Sequence, residues 1–147
     1  VECLGLHLHV PEGVFPPQPM SQLLGRAVDQ EVRQGERVLD MGTGCGVNAI
    51  LAARQGAQVL AVDVNPASVS AAARNARAAG VADRIECRVG DVFEGIEERF
   101  DLIVFDPPFR WFAPGDMLDR AFSDHGYATC ARSSNRSRTT SGRVVGR

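Results

Sequence analysis

A glycine-rich segment, DMGTGCG from Asp40 to Gly46, limits the possible folds of this chain more than any other feature. It lies between a short apolar run at 37–41 and a helical pattern from Val47 to Arg54. Glycine allows the backbone to approach a ligand closely, and the first N–H groups of the following helix favour negative charge. The segment therefore predicts a strand, a tight turn and a helix, with a ligand held at the turn.

The alternation of strand and helix patterns continues after this turn. A second helix begins at Asn65-Pro66, where asparagine is a good N-cap and proline suits the first helical position. Such alternation is typical of βαβ units, so we expect an α/β fold with a parallel sheet in the strand order 3-2-1-4. The four predicted strands of that sheet are 37–41, 59–62, 84–89 and 100–105.

The composition is that of one globular domain. Of 147 residues, 44% are hydrophobic and 23% charged, which excludes a disordered or coiled-coil chain. The apolar runs are too short to cross a bilayer and no signal peptide is recognisable, so a cytoplasmic protein without membrane association is expected. The four cysteines form no C-x-x-C pair, which predicts free thiols and no metal site. All sixteen Lys or Arg positions are arginine, which indicates a high-GC bacterial gene.

Three carboxylates lie at the ends of three of the predicted strands: Asp40, Asp63 and Asp91. Ligands of open α/β sheets bind outside the carboxyl ends of the strands. A G-x-G-x-x-A pattern from Gly44, with Asp63 nineteen residues later, also fits a dinucleotide-binding domain. However, a carboxylate at Asp40 would repel a pyrophosphate and attract an ammonium group. The three acids therefore indicate a cationic ligand with a ribose and an exocyclic amine, which describes S-adenosylmethionine; an NAD-binding domain is the weaker alternative.

A second motif, FDPPF from Phe105 to Phe109, directly follows the fourth strand. Its two prolines remove backbone donors and fix the chain, which leaves the Asp106 carboxylate and the Pro107 carbonyl as rigid acceptors. Phe109 and Trp111 supply flat apolar faces beside them. Two acceptors next to an aromatic face suit a planar –NH2 group, so the motif predicts a site for a planar nitrogen.

Together with Asp63 and Gly90-Asp91, these two motifs resemble class I S-adenosylmethionine-dependent methyltransferases. More narrowly, they resemble the small-domain group with a (D/N)PP(F/Y) motif, which includes release-factor glutamine, adenine-N6 and ribosomal RNA guanine-N2 methyltransferases. The resemblance covers roughly residues 13–112. It implies a Rossmann-like sheet, S-adenosyl-L-methionine as cofactor, and methyl transfer to a planar nitrogen, either the exocyclic amine of a nucleobase or a protein amide.

The resemblance also assigns the cofactor-binding residues. It implies that Asp40 and the glycine turn hold the methionine end, that Asp63 binds the ribose hydroxyls, and that Asp91 and the next backbone N–H contact adenine. The complete set expected to bind the cofactor is Asp40, Gly42, Thr43, Gly44, Gly46, Asp63, Asp91 and Val92.

The catalytic residues implied by the resemblance are Asp106, Pro107 and Phe109. The first two accept hydrogen bonds from the target nitrogen, and Phe109 stacks on its plane. Glutamine methyltransferases usually carry Asn and Tyr at the Asp106 and Phe109 positions, which argues against a release factor as substrate. Residues 1–125 carry eleven arginines and all eighteen acids, and this net charge of −7 is unfavourable for RNA or DNA. The acceptor stays open among RNA, DNA, a protein amide and a small amine, and the alternative function is a non-catalytic cofactor-binding module or inactive fragment.

The chain divides into three parts by sequence pattern. Residues 1–35 hold an alternating strand, Leu4–Val10, the proline loop (Pro11 to Pro19) and a helix whose predicted N-cap is Ser21. Residues 36–127 form the cofactor-binding core. Residues 128–147 turn abruptly to Arg, Ser and Thr, which predicts a disordered basic tail of the kind that a shifted reading frame produces. The sheet is then truncated after the fourth core strand, whose open edge would leave the chain marginally stable and inactive.

Overall fold

The computed structural model describes residues 1–91, 93, 95–106 and 143–146. The chain begins with strands β1 (Glu2–Cys3) and β2 (Leu6–His7) and helix α1 (Pro19–Glu31). Strands and helices then alternate: β3 (Arg37–Met41), α2 (Val47–Arg54), β4 (Gln58–Asp63) and α3 (Pro66–Ala78). A 3-10 turn (Ala82–Arg84) leads to strands β5 (Ile85–Val89), β6 (Leu102–Phe105) and β7 (Arg143–Gly146).

The main sheet has five parallel strands in the order β5-β4-β3-β6-β7. The predicted order of the four core strands is therefore confirmed, with β3 between β4 and β6. In the register of the sheet, Met41 is paired with Val62 on one side and with Phe105 on the other. The residues that follow these three strands consequently meet at one edge of the sheet, which also carries the glycine turn.

Both faces of the three central strands, β3, β4 and β6, are buried, which is why these strands consist mostly of apolar residues. One face packs against helices α1, α2 and α3 through residues such as Val38, Ala61 and Val104. The other face carries Leu39 and Ile103 and belongs to a second apolar cluster, which includes three residues that follow β5: Phe93, Ile96 and Phe100. None of the helices in the described part of the chain has the length and apolarity to span a membrane.

Local sequence signals set the bounds of α2 and α3. Helix α2 covers the predicted residues Val47 to Arg54. At the start of α3, the side chain of Asn65 accepts a hydrogen bond from the Ala67 N–H at 3.0 Å, and Pro66 occupies the first helical position. The predicted asparagine cap is thus confirmed.

The predicted N-cap at Ser21 is wrong, because helix α1 begins at Pro19 and Ser21 is its third residue. Gln18 is the N-cap, and its backbone N–H donates to the Ser21 hydroxyl at 3.1 Å, so Ser21 serves the cap from the third helical position. Proline is well suited to the first helical position because its missing N–H has no partner there in any case.

The predicted continuous strand over Leu4–Val10 is wrong. The chain reverses at Leu4 and Gly5, whose φ angles are 49° and 72°, so that Cys3 pairs with Leu6 in an antiparallel hairpin. Leu6 and Leu8 are buried as their alternation predicted. The alternation reflected burial on one side of the segment, whereas the tight turn depends on the positive φ that Gly5 adopts readily.

The predicted disorder of the basic tail is wrong for Arg143–Gly146, and the sheet does not stop after its fourth core strand. These residues form β7, which pairs in parallel with β6. The Arg143 guanidinium donates to both carboxylate oxygens of Glu36 at 2.7 and 2.9 Å and to the Glu31 carbonyl at 3.0 Å. The prediction of disorder rested on the average composition of residues 128–147, and a strand of only four residues has little effect on that average. Because β7 pairs with β6, the edge of β6 is not open, and the reason for expecting marginal stability no longer applies. The rest of the predicted tail, 128–142 and 147, lies outside the described residues.

Candidate functional site

The glycine turn is open on one side and closed on the other. A Cβ added to Gly42 or Gly44 would meet nothing within 4 Å, so a ligand has room to approach the backbone at both positions. At Gly46 an added Cβ would lie 3.0 Å from the Ala72 Cα, which leaves no room for a side chain between the turn and α3. The Gly42 N–H donates to the Val62 carbonyl at 2.8 Å and ties the turn to the end of β4.

Asp40 lies beneath the turn and fastens it to α2. Its side chain is buried, with 1% of the residue exposed. One carboxylate oxygen, Oδ2, accepts hydrogen bonds from the Thr43 hydroxyl at 2.7 Å and from the Ala49 N–H at 3.2 Å. Burial raises the pKa of Asp40 to about 6, although these hydrogen bonds favour the charged form. A negative charge at this place also stabilises the first turn of α2, where N–H groups point toward it.

Asp63 connects the turn to the start of α3. Its Oδ2 accepts a hydrogen bond from the Gly44 N–H, and its Oδ1 accepts one from the Asn65 N–H, both at 2.9 Å. Burial raises the pKa of Asp63, and the backbone hydrogen bonds oppose that rise. An ionised carboxylate has about four acceptor sites, so roughly two remain for ligand hydroxyls. These acceptor sites fit the two hydroxyls of a ribose, which donate hydrogen bonds.

The other two candidate acids, Asp91 and Asp106, follow β5 and β6, which are separated in the sheet by β4 and β3. The Gly90 N–H donates to the Asp63 carbonyl at 3.0 Å, which brings the segment before Asp91 next to Asp63. Asp106 directly follows Phe105 at the end of β6, and both Asp91 and Asp106 are half-buried. The structure thus joins Thr43 to Asp40 and Gly44 to Asp63 by hydrogen bonds, and it places Asp91 and Asp106 after the carboxyl ends of β5 and β6. Val92, Pro107 and Phe109 lie outside the described residues.

Sequence reasoning missed the contacts that two asparagine side chains bordering the site make with distant backbone carbonyls. Asn75 in α3 is 3% exposed, and its Nδ2 donates to the Cys45 carbonyl at 2.8 Å and to the His9 carbonyl at 2.9 Å. The Asn65 Nδ2 donates to the Gly13 carbonyl at 2.8 Å. The sequence signal for such a buried amide is an asparagine among the alanines of α3. A polar side chain on an otherwise apolar helix face has to find a hydrogen-bond partner when it is buried. Across the described residues, no group of three His, Cys, Asp or Glu side chains is placed to hold a metal ion.

The chain is similar to proteins of known activity. Residues 6–119 match the family model of the methyltransferase small domain. Over 107 residues it is 40% identical to the release factor glutamine methyltransferase of Cereibacter sphaeroides, a match that covers 71% of this chain and 38% of that protein. It is also 36% identical over 120 residues to a putative protein N5-glutamine methyltransferase of Methanocaldococcus jannaschii, covering 81% of this chain and 58% of the relative.

A solved structure with the same sheet is a T. thermophilus 16S rRNA N2 methyltransferase in complex with AdoMet and guanosine. It matches with a TM-score of 0.65 and 31% identity over 83% of this chain and 36% of that chain. The likeness confirms the predicted fold class, an α/β sheet of the Rossmann-like class I methyltransferase type. The chain spans between about a third and three fifths of the length of these three proteins.

Proposed function

We propose that this chain, which belongs to the methyltransferase small domain family, binds S-adenosyl-L-methionine and transfers its methyl group to a planar nitrogen. The acceptor nitrogen belongs to a protein amide or to the exocyclic amine of a nucleobase. The observation that carries this proposal is the pair of carboxylates, Asp40 and Asp63, which each hold the glycine turn by hydrogen bonds at the carboxyl ends of two adjacent parallel strands.

The cofactor end of the proposed site consists of the open turn and Asp63. The space over Gly42 and Gly44 accommodates the methionine end, close to the N-terminus of α2. The free acceptor sites of Asp63 bind the ribose hydroxyls, and Asp91 with the backbone of Val92 receives the adenine, in line with the family resemblance. When bound, the cofactor supplies an electrophilic methyl group on a sulfonium.

Asp40 contributes to this site through the turn. With 1% exposure and one oxygen already shared by Thr43 and Ala49, its carboxylate is positioned to hold the turn in shape rather than to touch the cofactor. Its negative charge still favours the ammonium group of the methionine end, because the surrounding apolar core screens charge poorly. Asp40 therefore contributes to cofactor binding by ordering the turn that holds the methionine end.

The acceptor end of the proposed site begins at Asp106. Its carboxylate accepts a hydrogen bond from the target nitrogen, the Pro107 carbonyl accepts a second one, and Phe109 stacks on the plane of the target. These contacts orient the nitrogen lone pair toward the methyl group, so proximity and electrostatics supply most of the rate enhancement. We place the reaction in the cytoplasm, where free thiols such as those of Cys3 and Cys45 stay reduced.

Label transfer tests the proposal. The chain is incubated with methyl-labelled S-adenosylmethionine and a bacterial cell extract, and the label is followed into protein, nucleic acid and small molecules. We expect label on nitrogen atoms of protein or nucleic acid. Asp106→Ala is the matched variant: it should lose transfer and keep binding of S-adenosylhomocysteine in calorimetry. Label only on carbon or oxygen atoms, or full transfer by Asp106→Ala, would contradict the proposal.

A further inference from the structure

The N-terminal segment His9–Gly13, here named the strap, is held along α3 by two asparagine side chains. At one end, the Asn75 Oδ1 accepts a hydrogen bond from the His9 N–H at 2.8 Å, while its Nδ2 donates to the His9 carbonyl at 2.9 Å. At the other end, the Asn65 Nδ2 donates to the Gly13 carbonyl at 2.8 Å. The strap therefore runs antiparallel to α3, from the last turns of the helix to its N-cap.

The strap is short and includes a turn. Only four residue steps separate the His9 and Gly13 carbonyls, to which the two asparagine side chains donate. Between Pro11 and Val14 the chain turns, and Gly13 has a φ of 79°. Both ends of the strap are therefore fixed by the asparagine side chains, and the turn at Gly13 leads directly into the proline loop.

Each asparagine also contacts the proposed cofactor site. The Asn75 Nδ2 donates to the Cys45 carbonyl within the glycine turn at 2.8 Å. The backbone N–H of Asn65 donates to the Asp63 Oδ1 at 2.9 Å. Beyond Gly13, the N–H of the buried Val14 donates to the Pro11 carbonyl at 3.2 Å, and the proline loop continues to the start of α1. The same two residues, Asn75 through its side chain and Asn65 through its backbone and side chain, thus link the turn and Asp63 to the strap and the proline loop.

We propose that Asn65 and Asn75 are positioning residues that couple the cofactor site to the strap and the proline loop. This inference rests on the proposed function, since it requires a cofactor that orders Asp63 and the glycine turn. Binding there fixes the backbone groups of Cys45 and Asn65, and the two amides transmit that order to His9 and Gly13. The strap is then held in one position whenever the cofactor is bound.

The coupling is tested first in the ligand-free chain by hydrogen exchange with mass spectrometry. Asn65→Ser keeps a good helix cap and loses the donor to the Gly13 carbonyl. We expect exchange of the backbone amides of residues 9–15 to become about fivefold faster, as the loss of one net hydrogen bond implies. Ala67→Gly is the matched control, because it weakens the first turn of α3 at an exposed position without removing a strap contact. Equal exchange in Asn65→Ser and wild type, or the same acceleration in Ala67→Gly, would overturn the proposal.

The second arm adds S-adenosylhomocysteine. In the wild type, it should slow exchange of residues 9–15; in Asn65→Ser and in Asn75→Asp, it should still bind by calorimetry but give less than half of that protection. A purely structural role for the two asparagines would change stability and leave the protection intact, and that outcome would overturn the coupling. If the wild type binds no S-adenosylhomocysteine, the proposed function and the coupling both fail, while the ligand-free arm still decides whether the amides hold the strap.

Discussion

The buried carboxylate of Asp40 should make the stability of this chain depend on pH, and Asp40→Asn should remove that dependence. Burial raises the pKa of Asp40 from 3.8 to about 6 in the folded chain. A group whose folded pKa is raised favours folding when protonated, so its contribution is present below pH 4 and is lost as the pH rises through 6. At about 1.4 kcal/mol per pH unit, the difference corresponds to about 3 kcal/mol in total. That is a large fraction of the 5–15 kcal/mol typical of a domain.

Urea unfolding followed by circular dichroism between pH 4 and pH 8 measures this effect. Relative to wild type, the unfolding free energy of Asp40→Asn should rise by about 2 kcal/mol between pH 4 and pH 7, since the uncharged amide carries no desolvated charge. Asp83→Asn is the control, because Asp83 is exposed and its variant should run parallel to wild type. Parallel curves for Asp40→Asn and wild type would refute the claim that a buried, ionising carboxylate lies beneath the turn.

Two substitutions test the packing around the site and the sheet edge. Gly46→Ala should lower the unfolding free energy by about 1–3 kcal/mol, because Gly46 has φ 91° and no room beside Ala72. Gly44→Ala is the control and should lower it less, because the space around Gly44 is open. Thermal melts measure both losses, and equal losses would contradict the prediction. Arg143→Ala should cost about 1 kcal/mol through its bidentate contact with the partly buried Glu36. A double-mutant cycle with Glu36→Gln checks the second prediction, which fails if the two losses simply add.

Local signals explain why much of the central sheet was predictable from the sequence. Asn65-Pro66 carries a cap and a first-turn residue whose preferences are set by neighbouring backbone groups, so the start of α3 was predicted correctly. Strand β3 was likewise predicted over residues 37–41 because a strand buried on both faces is mostly apolar, and Val38, Leu39 and Met41 show that pattern. In both cases the deciding interactions lie within a few residues or repeat along the element.

The parts that sequence reasoning missed depend on partners far away in the chain. Strand β7 forms against β6 and is fixed by Arg143 and Glu36, which are separated by 107 residues. The Asn75 side chain donates hydrogen bonds to the His9 and Cys45 carbonyls, and no residue near α3 in the sequence indicates those partners. The role of Asp40 was also only partly predictable: its place at the turn followed from the motif, whereas its burial beneath α2 depends on how the helix packs.

Calorimetric titration of the chain tests the central claim most directly, with S-adenosylhomocysteine and NAD as the two ligands. We predict binding of S-adenosylhomocysteine and no measurable binding of NAD. Asp63→Asn should weaken the affinity for S-adenosylhomocysteine at least about tenfold, because hydrogen bonds to a charged acceptor contribute about 1.5–3 kcal/mol. Tight binding of NAD without binding of S-adenosylhomocysteine would contradict the account, and so would an affinity that Asp63→Asn leaves unchanged.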